Sequence, residues 1–305
     1  MNWKQYHRRY NVKWTVMQNM LLRFILYAFI VCQVSCTKEI PFLSDESSDK
    51  FVLNSLFSPG NGLIIYLDKT NSILSPPSKN SFNTETRFYE DGICIDSIIS
   101  IDSVIVLSKN VQLNSVYKIE ITFKDENITL SAVDSVPEKV LVSDAQYEYP
   151  VYEDETNTRF GQLSFYFQDE TGRRNYYEIA FQSGHRYINT FNVNSPVVSV
   201  NTEKDPVYFP VLLFTDEKFQ DSEMHFEVFM ESQVNPTIIL RNVSFNYYMY
   251  KSLLYPHLFN QNIDRENVYE LFKGDPFDLY SNVTNGLGIF AAYSESRFQS
   301  KSLNH

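Results

Sequence analysis

The sequence predicts an all-β protein built from two β-sandwich domains of immunoglobulin-like type, the second carrying one helix. Three observations predict it. Apolar and polar residues alternate with period two in both halves of the chain: Tyr117, Ile119, Ile121 and Phe123 against Lys118, Glu120 and Thr122, and Leu163, Phe165 and Phe167 against Gln162, Ser164 and Gln168. That alternation marks a strand with one buried face. The candidate strands are short, turn residues recur between them, and a single stretch has helical spacing. The composition, 24 Phe and 21 Tyr against 9 Gly, suits pleated and half-buried surfaces.

Residues 1–35 read as a signal. Arg23 precedes eleven mostly apolar residues, Phe24 to Val34, and the chain turns polar after Ser35-Cys36. A membrane-spanning helix needs roughly 20 such residues, so this run fits the apolar segment of a cleaved secretory signal. A cysteine directly after the small residue Ser35 gives the expectation of a bacterial lipoprotein signal, with Cys36 as the lipid attachment site. Gln33 stands where that pattern usually has Leu, and a plain cleaved signal or a signal-anchor is the alternative. Lys4, Arg8, Arg9 and Lys13 make the leading segment long; a start at Met17 or Met20 gives a compact signal around Arg23. Residues 36–50, polar with one Pro and an acidic cluster, read as a tether.

Charge narrows the partners. The chain has 26 basic and 37 acidic residues; removing the five basic residues that precede Cys36 leaves 21, a net charge of −16. Phosphate backbones repel such a chain, which argues against nucleic acid. An anionic membrane surface adds no attraction either, so the lipid has to hold the protein there. With Cys36 acylated, Cys94 is a lone thiol between Ile93 and Ile95, expected as a small core residue.

The first domain is expected over 51–137. Phe51–Leu56 and Leu63–Leu67 are strands joined by the turn-forming Ser58-Pro59-Gly60-Asn61-Gly62. Residues 72–83 form a Ser/Pro/Asn loop. Arg87-Phe88-Tyr89 and Ser103–Leu107 are further strands, and Tyr117–Phe123 with Ile128–Ala132 form a hairpin around Lys124–Asn127. The second domain, 138–305, repeats the logic with Leu163–Phe167, Tyr177–Phe181, Met224–Met230 and Thr237–Leu240. Ser244 then caps a helix carrying Phe245, Tyr248 and Met249, which should stop by Tyr255 because Pro256 disfavours helix in the residue before it. A final strand falls in Leu287–Phe298.

Catalytic constellations are missing from the sequence. His185, His225 and His257 are scattered, and no serine sits in a G-x-S-x-G elbow. Gly286-Leu287-Gly288 lacks the third glycine and the strand-then-helix setting of a phosphate loop. The acidic pairs Glu153-Asp154-Glu155 and Asp169-Glu170 carry oxygen ligands suited to calcium, with a solvated loop as the plainer reading. No cofactor or metal is expected. The tyrosines Tyr147, Tyr149, Tyr152 and Tyr255 are the candidate ligand-binding face.

The run Tyr280-Ser281-Asn282-Val283-Thr284-Asn285-Gly286-Leu287-Gly288-Ile289-Phe290-Ala291-Ala292-Tyr293-Ser294 resembles the closing motif of the domain of unknown function 4249 family, lipoproteins of Bacteroidetes-type outer membranes. Asn175-Tyr176-Tyr177-Glu178, Tyr247-Tyr248 and Asp275-Pro276-Phe277 fall in the same order as in that family, and the likeness extends from about Cys36 to Leu303. Lys38-Glu39 and Asp45-Glu46 resemble the acidic signals that follow the lipid cysteine in surface-displayed members of that bacterial group. The resemblance implies a non-catalytic outer-membrane lipoprotein, at the cell surface or, as the alternative, on the periplasmic face, that serves as accessory or ligand-capture partner of a TonB-dependent transporter. The alternatives are a surface glycan hydrolase and a structural adhesin. Asn285-Gly286-Leu287-Gly288 itself reads as a turn into the last strand, architectural rather than ligand-binding.

Overall fold

A computed structural model describes residues 50–70, 81–169, 172–188, 190–194, 211–217, 223–261 and 278–303. The strands are β1 (Phe51–Phe57), β2 (Leu63–Lys69), β3 (Thr84–Glu90), β4 (Ile93–Ser100), β5 (Val104–Leu107), β6 (Val116–Phe123) and β7 (Ile128–Ser135). Then follow β8 (Val142–Glu153), β9 (Arg159–Gln168), β10 (Tyr176–Ser183), β11 (Arg186–Tyr187), β12 (Thr190–Asn194), β13 (Val211–Thr215), β14 (Glu223–Met230) and β15 (Thr237–Val243). Helix α1 (Phe245–Gln261), β16 (Leu287–Gln299) and β17 (Lys301–Ser302) complete the order.

Three sheets result. The largest runs β11-β10-β15-β16-β1-β2-β5, with β13 also on β10; a five-stranded sheet runs β12-β14-β9-β8-β17; a four-stranded sheet runs β4-β3-β6-β7. One core lies between the four-stranded sheet and the β1, β2, β5 and β16 part of the large one. It contains Phe57, Phe88, Tyr117, Ile119 and Phe290, with Phe57 and Phe290 ring centroids 4.5 Å apart and Phe88 stacked on Tyr117 at 5.3 Å. A second core lies between the five-stranded sheet and the β10, β13 and β15 part, holding Phe165, Phe167, Tyr177, Phe226 and Leu240. Among the described residues the chain is mostly β with one helix, as the alternation predicts.

Strand β16 joins the two cores. It pairs in parallel with β1 from Leu287 to Ala292 and antiparallel with β15 from Tyr293 to Gln299. Phe290 and Ala292 point into the first core, while Ile289 and Ala291 lie with Val243 and Tyr247 beneath α1. Both faces of its first half are covered, which is why Ile289-Phe290-Ala291-Ala292 is an unbroken apolar run. Gly288 has φ +113°, and a Cβ there would stand 2.0 Å from the Leu53 carbonyl oxygen; only glycine lets β16 settle against β1. Asn282 supports the same entry, accepting from Phe290 N at 2.9 Å and donating to its carbonyl at 2.7 Å. The step at Pro137 is where the chain passes from one core to the other, but the large sheet continues across it.

Two local expectations are corrected. Helix α1 does not stop at Tyr255; it runs on through Pro256 to Gln261. A proline inside a helix removes one main-chain bond, and the Tyr255 hydroxyl, hydrogen-bonded to Glu178, holds the preceding residue in place. Cys94 is exposed rather than in the core. It sits on β4, an edge strand absent from the sequence reading, beside the register shift at Phe88/Tyr89. The cap is as expected: the Ser244 hydroxyl accepts from Tyr247 N at 3.1 Å.

Replacing Phe290 by Ala should cost about 3–5 kcal/mol in urea unfolding, the range for a buried aromatic. A loss under about 1 kcal/mol would place its ring outside the core.

Candidate functional site

The segment that crosses between the cores is fastened to the large sheet by side chains. Ser294 Oγ donates to the Glu138 carbonyl at 2.7 Å, Asn242 Nδ2 to the same oxygen at 3.0 Å, and Ser296 Oγ to the Val140 carbonyl at 2.6 Å. Asp134, at the end of β7 and 7% exposed, ties three elements together. Its Oδ2 accepts from Ser244 Oγ at the head of α1 and from Ala292 N of β16 at 2.7 Å, and its Oδ1 accepts from Asn246 Nδ2 at 3.0 Å. Burial pushes the Asp134 carboxyl up to about 6, against the opposing pull of these donors.

Beside this seam opens a cleft of about 540 Å³, lined by residues 135–138, 173–176 and 242–245 with Asn114. Its charged lining is Arg173, Arg174 and one carboxylate, Glu138. Arg174 Nη2 pairs with Glu217 Oε1 at 2.7 Å, with both side chains more than half exposed, so the pair adds little stability.

The opposite, outward face of β10, β15 and β16 carries a buried charge network roofed by α1. Glu178 of β10 is fully buried and pairs with Arg241 Nη1 of β15. The Arg241 Nε donates to Glu295 Oε2 of β16 at 2.8 Å, and Arg297 Nε donates to the other oxygen of Glu295, also at 2.8 Å. From the helix, the Tyr247 hydroxyl lies 3.1 Å from both Glu178 oxygens and the Tyr255 hydroxyl donates to Oε2. Lys251 Nζ stands over the Tyr247 and Tyr255 rings at 5.6 and 5.2 Å, a cation–π contact. Burial tends to raise the Glu295 carboxyl, but the Arg241 and Arg297 guanidiniums hold it below its ordinary value. Burial lowers the Lys251 ammonium, partly offset by Glu178, and raises both tyrosine hydroxyls, with Glu178 adding to the rise. Every oxygen of Glu178 is satisfied, so this cluster fastens a helix to a sheet rather than offering a reactive group.

The sequence-predicted residues do not converge. Cys36 lies outside the described residues, as do the signal, the tether to residue 49 and Asp275-Pro276-Phe277. Tyr147 is a core residue, 1% exposed, whose hydroxyl donates to the Ser232 carbonyl at 2.6 Å. Its ring fits only because residue 161 is glycine: a Cβ there would lie 2.0 Å from the hydroxyl. Tyr149 is half-buried against the second core. Tyr152 is 57% exposed and packs on Phe160 at 5.8 Å. These three share β8, whereas Tyr255 belongs to the α1 network on another sheet. His225 is exposed, stacked on Tyr166 at 4.3 Å with Nε2 2.9 Å from Ser164 Oγ; His185 is exposed in the turn after β10. Asp134 and the Glu178–Arg241–Glu295 set escaped sequence reading because alternation puts Glu178 and Glu295 on an outward face. The signal that this face is covered is the helix itself, aromatic all round at Phe245, Tyr247, Tyr248, Tyr250 and Tyr255.

Among the described residues, no three His, Cys, Asp or Glu side chains are grouped to hold a metal, and no helix is long and apolar enough to cross a membrane. A family model described as Domain of unknown function (DUF4249) matches residues 37–299. No curated protein matches the chain.

Two outcomes are expected. The folded chain holds the Asp134 proton to about pH 6, whereas the unfolded chain releases it near 3.8. The stability this gives is present below about pH 4 and lost as pH rises through about 6, on the order of 3 kcal/mol in all; urea unfolding of wild type against Asp134→Asn between pH 4 and 7 should show that slope in wild type alone. Arg241→Ala leaves Glu178 buried without its cation and should cost about 3–5 kcal/mol in urea unfolding at pH 7. A loss under about 1 kcal/mol would mean that the buried pair is not what holds α1 to the sheet.

Proposed function

The chain belongs to the family described as Domain of unknown function (DUF4249), and from that premise we propose a non-catalytic lipoprotein, acylated at Cys36 and held in an outer membrane of Bacteroidetes type. There it acts at the cell surface as accessory or ligand-capture partner of a TonB-dependent transporter. The observation that carries this reading is the eleven-residue apolar segment closing on Ser35-Cys36. The family match supports it by starting at residue 37, directly after that cysteine. On the same reading each facing-sheet core is an immunoglobulin-like sandwich, a rigid body displayed on a lipid tether.

The polar groups of the described residues favour binding over hydrolysis. Glycoside hydrolysis needs two carboxyls about 5–9.5 Å apart across a cleft, and the lining at the seam brings one, Glu138. The Glu178 and Glu295 carboxylates are both bound to Arg241. The cleft volume lies within the range that takes small ligands, about 300–1,000 Å³. Of the tyrosines expected on the binding face, Tyr152 is the one most open to a partner.

Labelling cells with an alkynyl fatty acid should mark the wild-type protein, and Cys36→Ala should lose the label and enter the soluble fraction. A labelled Cys36→Ala variant contradicts the anchor. Tagged protein drawn from the outer membrane in mild detergent should bring a large β-barrel transporter with it. Recovery alone, together with turnover of a glycan library, contradicts the accessory role.

A further inference from the structure

Two aspartates at one end of the second core are buried with an oxygen each left bare. Asp169 follows β9 and Asp216 follows β13; they are 2% and 1% exposed. Asn175, at the entrance to β10, holds both. Its main-chain N donates to Asp216 Oδ2 at 2.7 Å, its Nδ2 donates to Asp169 Oδ1 at 3.2 Å, and its carbonyl accepts from Asp216 N at 3.2 Å. The Tyr177 hydroxyl donates to the same Asp169 Oδ1. The remaining oxygens, Asp169 Oδ2 and Asp216 Oδ1, are buried with no hydrogen-bond partner.

Such an arrangement is costly as it stands. A buried carboxylate oxygen without a donor bears the full loss of its hydration, and two carboxylates gathered around one residue repel each other. A cation facing the bare oxygens removes both costs at once. We propose that Asp169 and Asp216 together bind a divalent cation, calcium by its chemistry, at the junction of the β9–β10 turn and the end of β13. The bare donors, Asp169 Oδ2 and Asp216 Oδ1, are oxygens only. Carboxylates completed by main-chain carbonyls and water suit calcium, which takes six to eight oxygens in flexible geometry, whereas zinc selects imidazole and thiolate.

The sequence offered two acidic pairs for this role, and their geometries differ. Asp154 turns its Oδ1 onto its own loop, accepting from Thr156 N, Thr156 Oγ1 and Thr158 N at 2.9, 2.7 and 2.9 Å, and so caps a turn. Asp169 keeps a bare oxygen and meets a second aspartate 47 positions along the chain. The site is independent of the lipid anchor and of any transporter.

Calorimetric titration of chelator-stripped protein with calcium chloride should show one saturable site, with a rise of several degrees in melting temperature that magnesium does not reproduce. Both tryptophans precede residue 15, so terbium bound here should be excited through tyrosine, Tyr177 being attached to Asp169, and calcium should quench that emission by displacement. Asp216→Asn should abolish the calorimetric signal, the thermal shift and the emission, while Asp154→Asn should leave all three unchanged. Should Asp216→Asn fail to fold, Tyr177→Phe locates the site by lowering the terbium emission while calcium still binds. No heat, no shift and no emission in wild type at millimolar metal would overturn the proposal, and so would an Asp216→Asn variant that binds calcium normally.

Discussion

The pairing of β16 with β1 on one side and β15 on the other is the constraint on which the rest depends. A strand that closes one core and runs on to support a second has to satisfy two packing problems with one backbone. Its composition changes along its length accordingly. Gly288 allows the close parallel approach to β1, and Phe290 and Ala292 fill the first core. Ile289 and Ala291 are covered by α1, and Ser294 and Ser296 then turn to the crossing segment as hydrogen-bond donors. The closing motif of the family is thus a record of changing neighbours.

Around that strand, polar groups do the joining and apolar groups do the filling. Asp134 gathers donors from β16 and from the two ends of the Ser244–Asn246 segment, which fixes the start of α1 relative to the first core. The Glu178–Arg241–Glu295 set fixes the body of the same helix to the second. A helix with a weak apolar stripe is held by directional contacts at both ends of its length. Buried charge of this kind contributes modestly to net stability and strongly to the uniqueness of the packing when every member is satisfied. The cleft at the seam is walled by the crossing segment, the turn into β10 and the head of the helix.

Much of the strand content was legible because alternation reports a half-buried face directly. Polarity alone marks Tyr117–Phe123, Leu163–Phe167 and Met224–Met230 as strands with one buried face. What escaped was set by contacts distant in sequence. Strand β4 shows no clean alternation because it is an edge strand with exposed Ile93, Cys94 and Ile99. Tyr147 looked like a surface tyrosine because Glu148 and Gln146 flank it, yet the glycine that admits its ring is residue 161 on the neighbouring strand. Pro256 looked like a stop, but a tertiary bond from Tyr255 outweighs a local preference. The pairing of Asp169 with Asp216 passes through the fold alone, since no local spacing links a residue after β9 to one after β13.

If β16 binds the two cores into one folding unit, they lose structure together. Hydrogen exchange followed by mass spectrometry in increasing urea tests this most directly. Amides of β3 and β6 in the first core and of β9 and β14 in the second should lose protection at one common midpoint. Two separated midpoints, with one core exchanging while the other stays protected, would contradict the account.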